Sequence, residues 1–290
     1  MKVLVTGGAG YIGTEIAQRL TQLEAVSLVV VYDNFAAGTK GLLGGKFNRT
    51  KLRIVKADIL DSRTLAKEIS GCSMVVHAAG IGTPYTSNDF DIHQLEQVNH
   101  WGTAELVHAL ETNAPQAYLI YLSSTEALGA TNHTSAYASS VARAEEEIER
   151  LVKKKLATIL RLADVFGYGT NLRTDTLLNK MITDGFLIGK IQIVGSGNGT
   201  FDYTRLEEVI GKVESAISGK LSAGIFNLVS HSSTLNMVVE ELSSLMAQPD
   251  IIYTAHHFEM TESNAENALP LVANLTLSEA LSQFLNKLKE

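Results

Sequence analysis

VLVTGGAGYIG, residues 3–13, sets a short apolar run directly against glycines at 7, 10 and 13, with an amphipathic helical pattern behind it. Gly7 permits a tight strand-to-helix turn, Gly10 lets backbone N–H groups come close to a pyrophosphate, and Gly13 lets the helix lie against the sheet. A glycine trio alone is a weak signal, since glycine-rich turns also occur without a ligand. Here the strand-like run SLVVVYD, 27–33, ends at Asp33, twenty residues after Gly13, where a carboxylate can hold both hydroxyls of a ribose. The combination reads as a dinucleotide phosphate cradle. Asp33 would repel a 2′-phosphate, so NAD is expected rather than NADP.

Beyond this stretch, the runs LRIVKAD, SMVVHAAG, AYLIYLSS and LATILRLADVFG repeat the short Val/Ile/Leu-rich pattern, separated by helix-like segments such as SRTLAKEI and VNHWGTAELVHALE. Apolar strands alternating with helices imply an α/β fold, a doubly wound parallel sheet of Rossmann type covered on both faces. From about Gly167 the pattern loosens, with glycines at 167, 169, 185, 189, 195, 197 and 199, and this region reads as a smaller substrate lobe. GIFNLVS (224–230) returns to a strand, STLNMVVEELSSLM to a helix, and LTLSEALSQFLNKLK to a closing helix. The expected division is therefore a dinucleotide-binding domain over 1–168, joined by about 201–232, and a lobe made of 169–200 and 233–290.

The 290 residues are 45% hydrophobic, enough for a large core, and 24 basic against 31 acidic side chains give a formal charge of −7. Such a balance offers no field for a phosphate backbone, so no nucleic-acid partner is expected. With no charged-apolar-small leader and no bilayer-length apolar run, the expectation is a soluble cytoplasmic protein without membrane association. The single cysteine, Cys72, fits a reducing compartment and reads as a small buried apolar residue. Asn-x-Thr triplets at Asn48, Asn132, Asn198 and Asn274 read as turns or chance. His256 and His257 diverge, and His93, His100 and His108 are too widely spaced for one metal, so no metal site is expected. In AYASSVARAEEEIERLVKKK, 136–155, a run of three glutamates precedes a run of three lysines and Glu149 can pair with Lys153, which reads as a solvated helix face.

Taken together, VTGGAGYIG, Asp33, ADILD (57–61), HAAG (77–80), VNHWGT (98–103), YLSSTEALG (121–129), YASSV (137–141), RLADVFG (161–167) and GSGNGTFDYTRLEEV (195–209) resemble the extended short-chain dehydrogenase/reductases, nearest their nucleotide-sugar epimerase and dehydratase branch. The resemblance implies a cofactor set of Gly7, Gly10, Tyr11, Ile12, Gly13, Asp33, Asn34, Asp58, Ile59, Ala78, Ala79, Gly80, Asn99 and Tyr137. It places Asp58 and Ile59 at the adenine, Ala78 and Ala79 beside the phosphates and ribose, and Asn99 in the helix supporting the strands. For Asp58 a helix N-cap explains the residue type equally well. Ser124, five residues before Gly129, falls where the family polarises the substrate oxygen, with Thr125 as the fallback. Tyr137 falls on the family's catalytic tyrosine, which exchanges a proton with a sugar hydroxyl while hydride moves to or from nicotinamide. Tyrosine at a helix start can also simply pack, but its spacing from Ser124 and the glutamate at 145 favour the site role.

Two departures stand out. The family's lysine, one turn after the tyrosine, lowers the phenol pKa and holds the nicotinamide ribose, and this chain has Val141 there. Valine does neither, so a phenol of ordinary pKa near 10 stays protonated at neutral pH. Arg143 faces elsewhere, Lys153 to Lys155 lie turns away, and no local cation is expected to substitute; His133, four residues before Tyr137, could accept a proton. The second departure is Phe201, at the position of the family's diphosphate-binding arginine, which leaves Arg173 and Arg205 as candidate substrate contacts. Tyr168 also replaces a proline common beside the nicotinamide. The expectation is an NAD-dependent epimerase/dehydratase-like protein holding a nucleotide sugar, or alternatively an NAD-binding protein with impaired catalysis serving as sensor, scaffold or inactive partner. By the same resemblance, helices within 92–112 and 136–155 would pair two copies as a homodimer.

Overall fold

In a computed structural model, which describes residues 1–82, 91–129, 135–254, 269, 271 and 274–290, each short apolar run forms a strand. The strands are β1 (Lys2–Thr6), β2 (Leu28–Asp33), β3 (Leu52–Lys56), β4 (Met74–His77), β5 (Tyr118–Ser124) and β6 (Ala157–Leu162), then β7 (Asp164–Phe166), β8 (Lys190–Val194), β9 (Thr200–Arg205), β10 (Gly224–Leu228), β11 (His231–Thr234) and β12 (Asp250–Thr254). Between them run α1 (Tyr11–Gln22), α2 (Lys40–Gly44), α3 (Ser62–Ile69), and α4 (Ile92–Leu95), which continues through a π-helical turn, Glu96–Trp101, into α5 (Gly102–Asn113). The later helices are α6 (Ala136–Lys153), α7 (Leu177–Leu187), α8 (Leu206–Ile217), α9 (Leu235–Leu245) and α10 (Leu277–Lys289).

Seven strands pair in parallel in the order β3-β2-β1-β4-β5-β6-β10. Alternation along each strand sends Val3, Val5, Val29 and Val31 to one face, where Ile16 and Leu20 of α1 and Val209 and Val213 of α8 cover them. Leu4, Val30 and Tyr32 point the other way, against Leu65, Leu106, Leu110 and Ile148 of α3, α5 and α6. Both faces are thus buried, which is why the strands read as continuous apolar runs. The chain is an α/β doubly wound fold. Its strand order reverses between β1 and β4, and the loops leaving those two strands open a crevice at the carboxyl edge of the sheet.

LATILRLADVFG, a single run in the sequence, divides at Ala163. Its first half, β6, belongs to the large sheet, and its second half, β7, leaves to pair with β9 in a three-stranded sheet β11-β9-β7. The Thr204 hydroxyl accepts the Ala163 N–H at 2.9 Å, so the break leaves no orphaned donor. Around Phe166 and Tyr203 a third core gathers Leu178 and Ile182 of α7, Val238 and Leu242 of α9, and Leu281 and Phe284 of α10. A two-stranded pair, β12-β8, completes this part.

The helix α6 corrects one reading of its charges. Glu149 and Lys153 do pair in solvent at 2.9 Å, but Glu145 is buried. Arg161 of β6 forks onto both Glu145 oxygens, with Nε at 2.9 and 3.1 Å, and Ser123 also donates to it. Cys72 is a buried thiol. Asn48 caps a short 3-10 turn and Thr276 caps α10 through a capping box, which accounts for two of the Asn-x-Thr triplets. Asn132, His133, His256 and His257 lie outside the described residues. Among the described residues, no helix is long and apolar enough to cross a membrane, and no group of three or more His, Cys, Asp and Glu side chains is placed to hold a metal.

Candidate active site

The glycine turn after β1 is shaped by close backbone approach. Gly7 has φ +65°, and a Cβ there would lie 2.6 Å from the Ala78 carbonyl and the Ala79 Cα, so the loops leaving β1 and β4 touch through it. At Gly13 a Cβ would lie 2.1 Å from the Gly7 carbonyl oxygen. Gly13 therefore seats the helix against the turn itself, a closer constraint than packing on the sheet. Gly10 is the N-cap of α1, with no side chain on the exposed N–H groups and no acid in the first helical turn. An uncapped helix N-terminus at the end of such a turn suits an anionic ligand.

Asp33, at the end of β2, turns back to this loop: its carboxylate accepts the Ala9 N–H at 2.9 Å and the Phe35 N–H at 2.7 Å. Lone pairs remain for further donors. Asn34 donates to Asp58 at 3.0 Å, and Asp58 also accepts the Leu60 N–H. Asp58 is not the helix cap; that is Asp61, which accepts the Thr64 N–H at the start of α3. Ile59 is buried against Gly102, where a Cβ would meet it at 2.7 Å. Asn99, in the π-helical turn, is buried and clamps Ile81 through both N–H and carbonyl at 2.8 and 3.0 Å while also donating to Ser140 of α6. It thereby fixes the Ala78–Gly80 loop to the helix carrying Tyr137. Below that loop His77 is buried between the Thr6 and Thr103 hydroxyls, and burial pushes its pKa down to about 3.

One cavity brings Ala78, Ala79, Gly80, Asn99, Ser124 and Thr125 together with Tyr137, Val141 and Arg173, with Tyr11 and Ile12 on its wall. Tyr11 is held there by its hydroxyl, which donates to the Gly167 carbonyl at 2.6 Å. Burial, aided by the Glu126 carboxylate, pushes the Tyr137 phenol up to about 12 against the lowering effect of a hydrogen bond with Ser124 and of the Arg173 guanidinium. Val141 is buried and faces the same cavity one turn along α6. A cation does stand in the cavity: Arg173, one of the candidate substrate contacts, brought in by the chain beyond β7. Its guanidinium is engaged by Asp175 at 2.7 and 3.2 Å and lies over Gly82.

Arg205 is placed differently. It is buried at the start of α8, 3.5 Å from Glu208, and is not among the residues lining the cavity. Two acidic lining residues escaped the sequence reading. Glu126 follows Thr125, and desolvation raises its carboxyl. Asp164, which accepts the Leu178 N–H at 3.1 Å, is pushed up to about 6 by burial against the lowering effect of that bond and of Arg173. For Asp164 the strand break after Leu162 was the missing signal.

A parallel nucleotide-binding sheet with a glycine cradle at its switch point and a Ser/Tyr pair in the adjoining cavity defines a Rossmann-type protein of the short-chain dehydrogenase/reductase kind. Residues 3–227 match the NAD dependent epimerase/dehydratase family, and the chain belongs to it. The dTDP-D-glucose 4,6-dehydratase of Dictyostelium discoideum is 25% identical over 252 residues, which cover 78% of this chain and 58% of that protein. The uncharacterized protein 052L of frog virus 3 is 31% identical over 131 residues, 44% of this chain and 34% of that protein. The chain thus spans less than two thirds of the length of these curated relatives. Among solved structures, UDP-glucuronic acid 4-epimerase from Bacillus cereus superposes with a TM-score of 0.84 at 21% identity, covering 100% of this chain and 99% of that one. DesIV, a dTDP-glucose 4,6-dehydratase from Streptomyces venezuelae solved with NAD bound, gives 0.83 at 18% identity, covering 100% and 97%.

Proposed function

We propose that this chain binds NAD and carries out epimerase- or dehydratase-type chemistry on a nucleotide sugar. The observation that carries the reading is the joining of Ser124 and Tyr137 in one cavity with the Ala78–Gly80 loop, which touches the glycine turn through Gly7. The cradle fits the cofactor's pyrophosphate: Gly7, Gly10 and Gly13 leave it open, and the bare N-terminus of α1 supplies donors. Asp33 would accept the ribose hydroxyls, with Asn34, Asp58 and Ile59 at the adenine. When bound, NAD supplies a hydride acceptor and donor.

The residues of the chain do the rest. Asn99 holds the loop that borders the reacting end, Ser124 and Thr125 donate to the substrate oxygen, and Tyr137 exchanges the hydroxyl proton. Val141 leaves that exchange without a neighbouring ammonium, and a phenol near 12 is a poor base at neutral pH. Turnover should therefore be slow and climb toward alkaline pH. Residues 1–168 with about 201–232 would form the NAD-binding part and 169–200 with 233–290 the substrate lobe, in a cytoplasmic homodimer paired through helices within 92–112 and 136–155.

Val141 also motivates a second reading, an NAD-binding sensor, scaffold or inactive partner. Turnover followed by NMR, with NAD and a panel of nucleotide sugars, separates the two when the chain is run beside Val141→Lys. Product from the unaltered chain supports the enzyme; product from the variant alone means an intact pocket with disabled chemistry. NAD binding with silence from both supports the second reading.

A further inference from the structure

We propose that the cavity selects a nucleotide sugar with an uncharged hexose and excludes one carrying a carboxylate. This rests on the nucleotide-sugar reading above and adds the class of sugar. The cavity is lined by two carboxyls, Glu126 and Asp164, close enough to act on one another, and Glu126 also acts on Tyr137. The one cation among the described lining residues is Arg173, and Asp175 already holds it through two hydrogen bonds. With all four groups ionised, Asp175 offsets the charge of the guanidinium from outside the lining, and the two cavity carboxylates are left without a cation of their own among the described lining residues. A sugar carboxylate placed here adds a third negative charge to a partly desolvated space, where like charges repel far more than in water.

Hexose hydroxyls meet the opposite situation. Each can donate to Glu126 or Asp164, both of which accept when ionised. Thr176, at the start of α7, adds a buried Oγ1 without a hydrogen-bond partner among the described residues, and it lines the same cavity. Such a group is satisfied by a polar ligand and costly to leave alone. Two carboxylate acceptors and one unmet hydroxyl fit a neutral polyol, and discrimination comes as much from repelling the anion as from holding the sugar.

The test is calorimetric titration of the NAD-loaded protein with glucose and glucuronic acid, each as its uridine and its thymidine diphosphate conjugate. The glucose conjugates should bind on the order of tenfold to a hundredfold more tightly than the glucuronates. Asp164→Asn and Glu126→Gln should each narrow that ratio, mainly by improving glucuronate binding. Equal or tighter binding of glucuronate overturns the inference and leaves the nucleotide-sugar reading standing. Discrimination that neither variant narrows also overturns it, since the carboxyls would not be its source. If NAD binds and no conjugate does, the nucleotide-sugar reading falls and the inference with it.

Discussion

At Gly13 an added Cβ would lie 2.1 Å from a backbone oxygen, whereas Val141, buried in the cavity wall, presents only a short apolar side chain to the site. The cofactor side of the crevice is defined by backbone meeting backbone: Gly7 against Ala78 and Ala79, Gly13 against Gly7, Asp33 against two N–H groups. The other side is defined by side chains on α6 and on the loops after β5 and β6. A backbone contact tolerates almost no substitution, while a side-chain wall can be rechemicalised with the fold intact. Change in function is therefore expected to collect on the second wall, where Val141, Glu126 and Asp164 stand.

The largest effect should come from Gly13→Ala. No flexible side chain can yield to the new methyl, so the first turn of α1 must move away from Gly7, at a cost of about 4 kcal/mol. Thermal unfolding should fall by roughly 8 to 16 °C, and NAD titration should show affinity lost in parallel. A Gly13→Ala protein that melts normally and binds NAD would break the contrast at its strongest point.

Next in size is the backing of the second wall. Arg161→Met strips the buried Glu145 carboxylate of its forked partner and should cost about 3 kcal/mol, read from the denaturation midpoint at unchanged slope. Adding Glu145→Leu should restore most of it. Failure of that rescue would mean the pair positions α6 rather than merely cancelling charge. Smaller again, Val141→Lys should raise turnover at neutral pH by roughly 10- to 100-fold and move the alkaline limb of the pH–rate profile down from the phenol's value near 12. An unchanged limb would show that Tyr137 does not carry the proton.

The contrast also explains what the sequence disclosed. Glycines with fixed spacing announce backbone contacts, since few other residues fit, and the strands of a sheet buried on both faces announce themselves as Val/Ile/Leu runs. Tyr137 and Ser124 were named through the resemblance carried by YLSSTEALG and YASSV, and the fold brings these two neighbouring motifs to one cavity. Arg173 was named but its partnership with Tyr137 was not, for it enters from a segment beyond β7. Asp164 was invisible because a single apolar run hid the break at Ala163. Asp58 was open to a reading as a helix cap, and the helix start at Ser62 gives that place to Asp61 instead.

The two walls should finally respond to pH with opposite signs. His77, under the cofactor loop, has its pKa lowered from 6.5 to about 3, so its contribution to stability is present above 6.5 and is lost as pH falls toward 3. Asp164 has its carboxyl raised from 3.8 to about 6, so its contribution is present below 3.8 and is lost as pH rises through 6. Between pH 6 and 4 the gain at Asp164 offsets part of the loss at His77. Asp164→Asn removes that offset, since the amide does not titrate and can still accept the Leu178 N–H. Stability of the variant relative to the unaltered chain should therefore decline by about 1 to 2 kcal/mol from pH 7 to pH 4, measured by urea unfolding at each pH. Parallel curves would mean that Asp164 ionises as an ordinary surface carboxylate, and the second wall would then be as open to water as the first is closed by backbone.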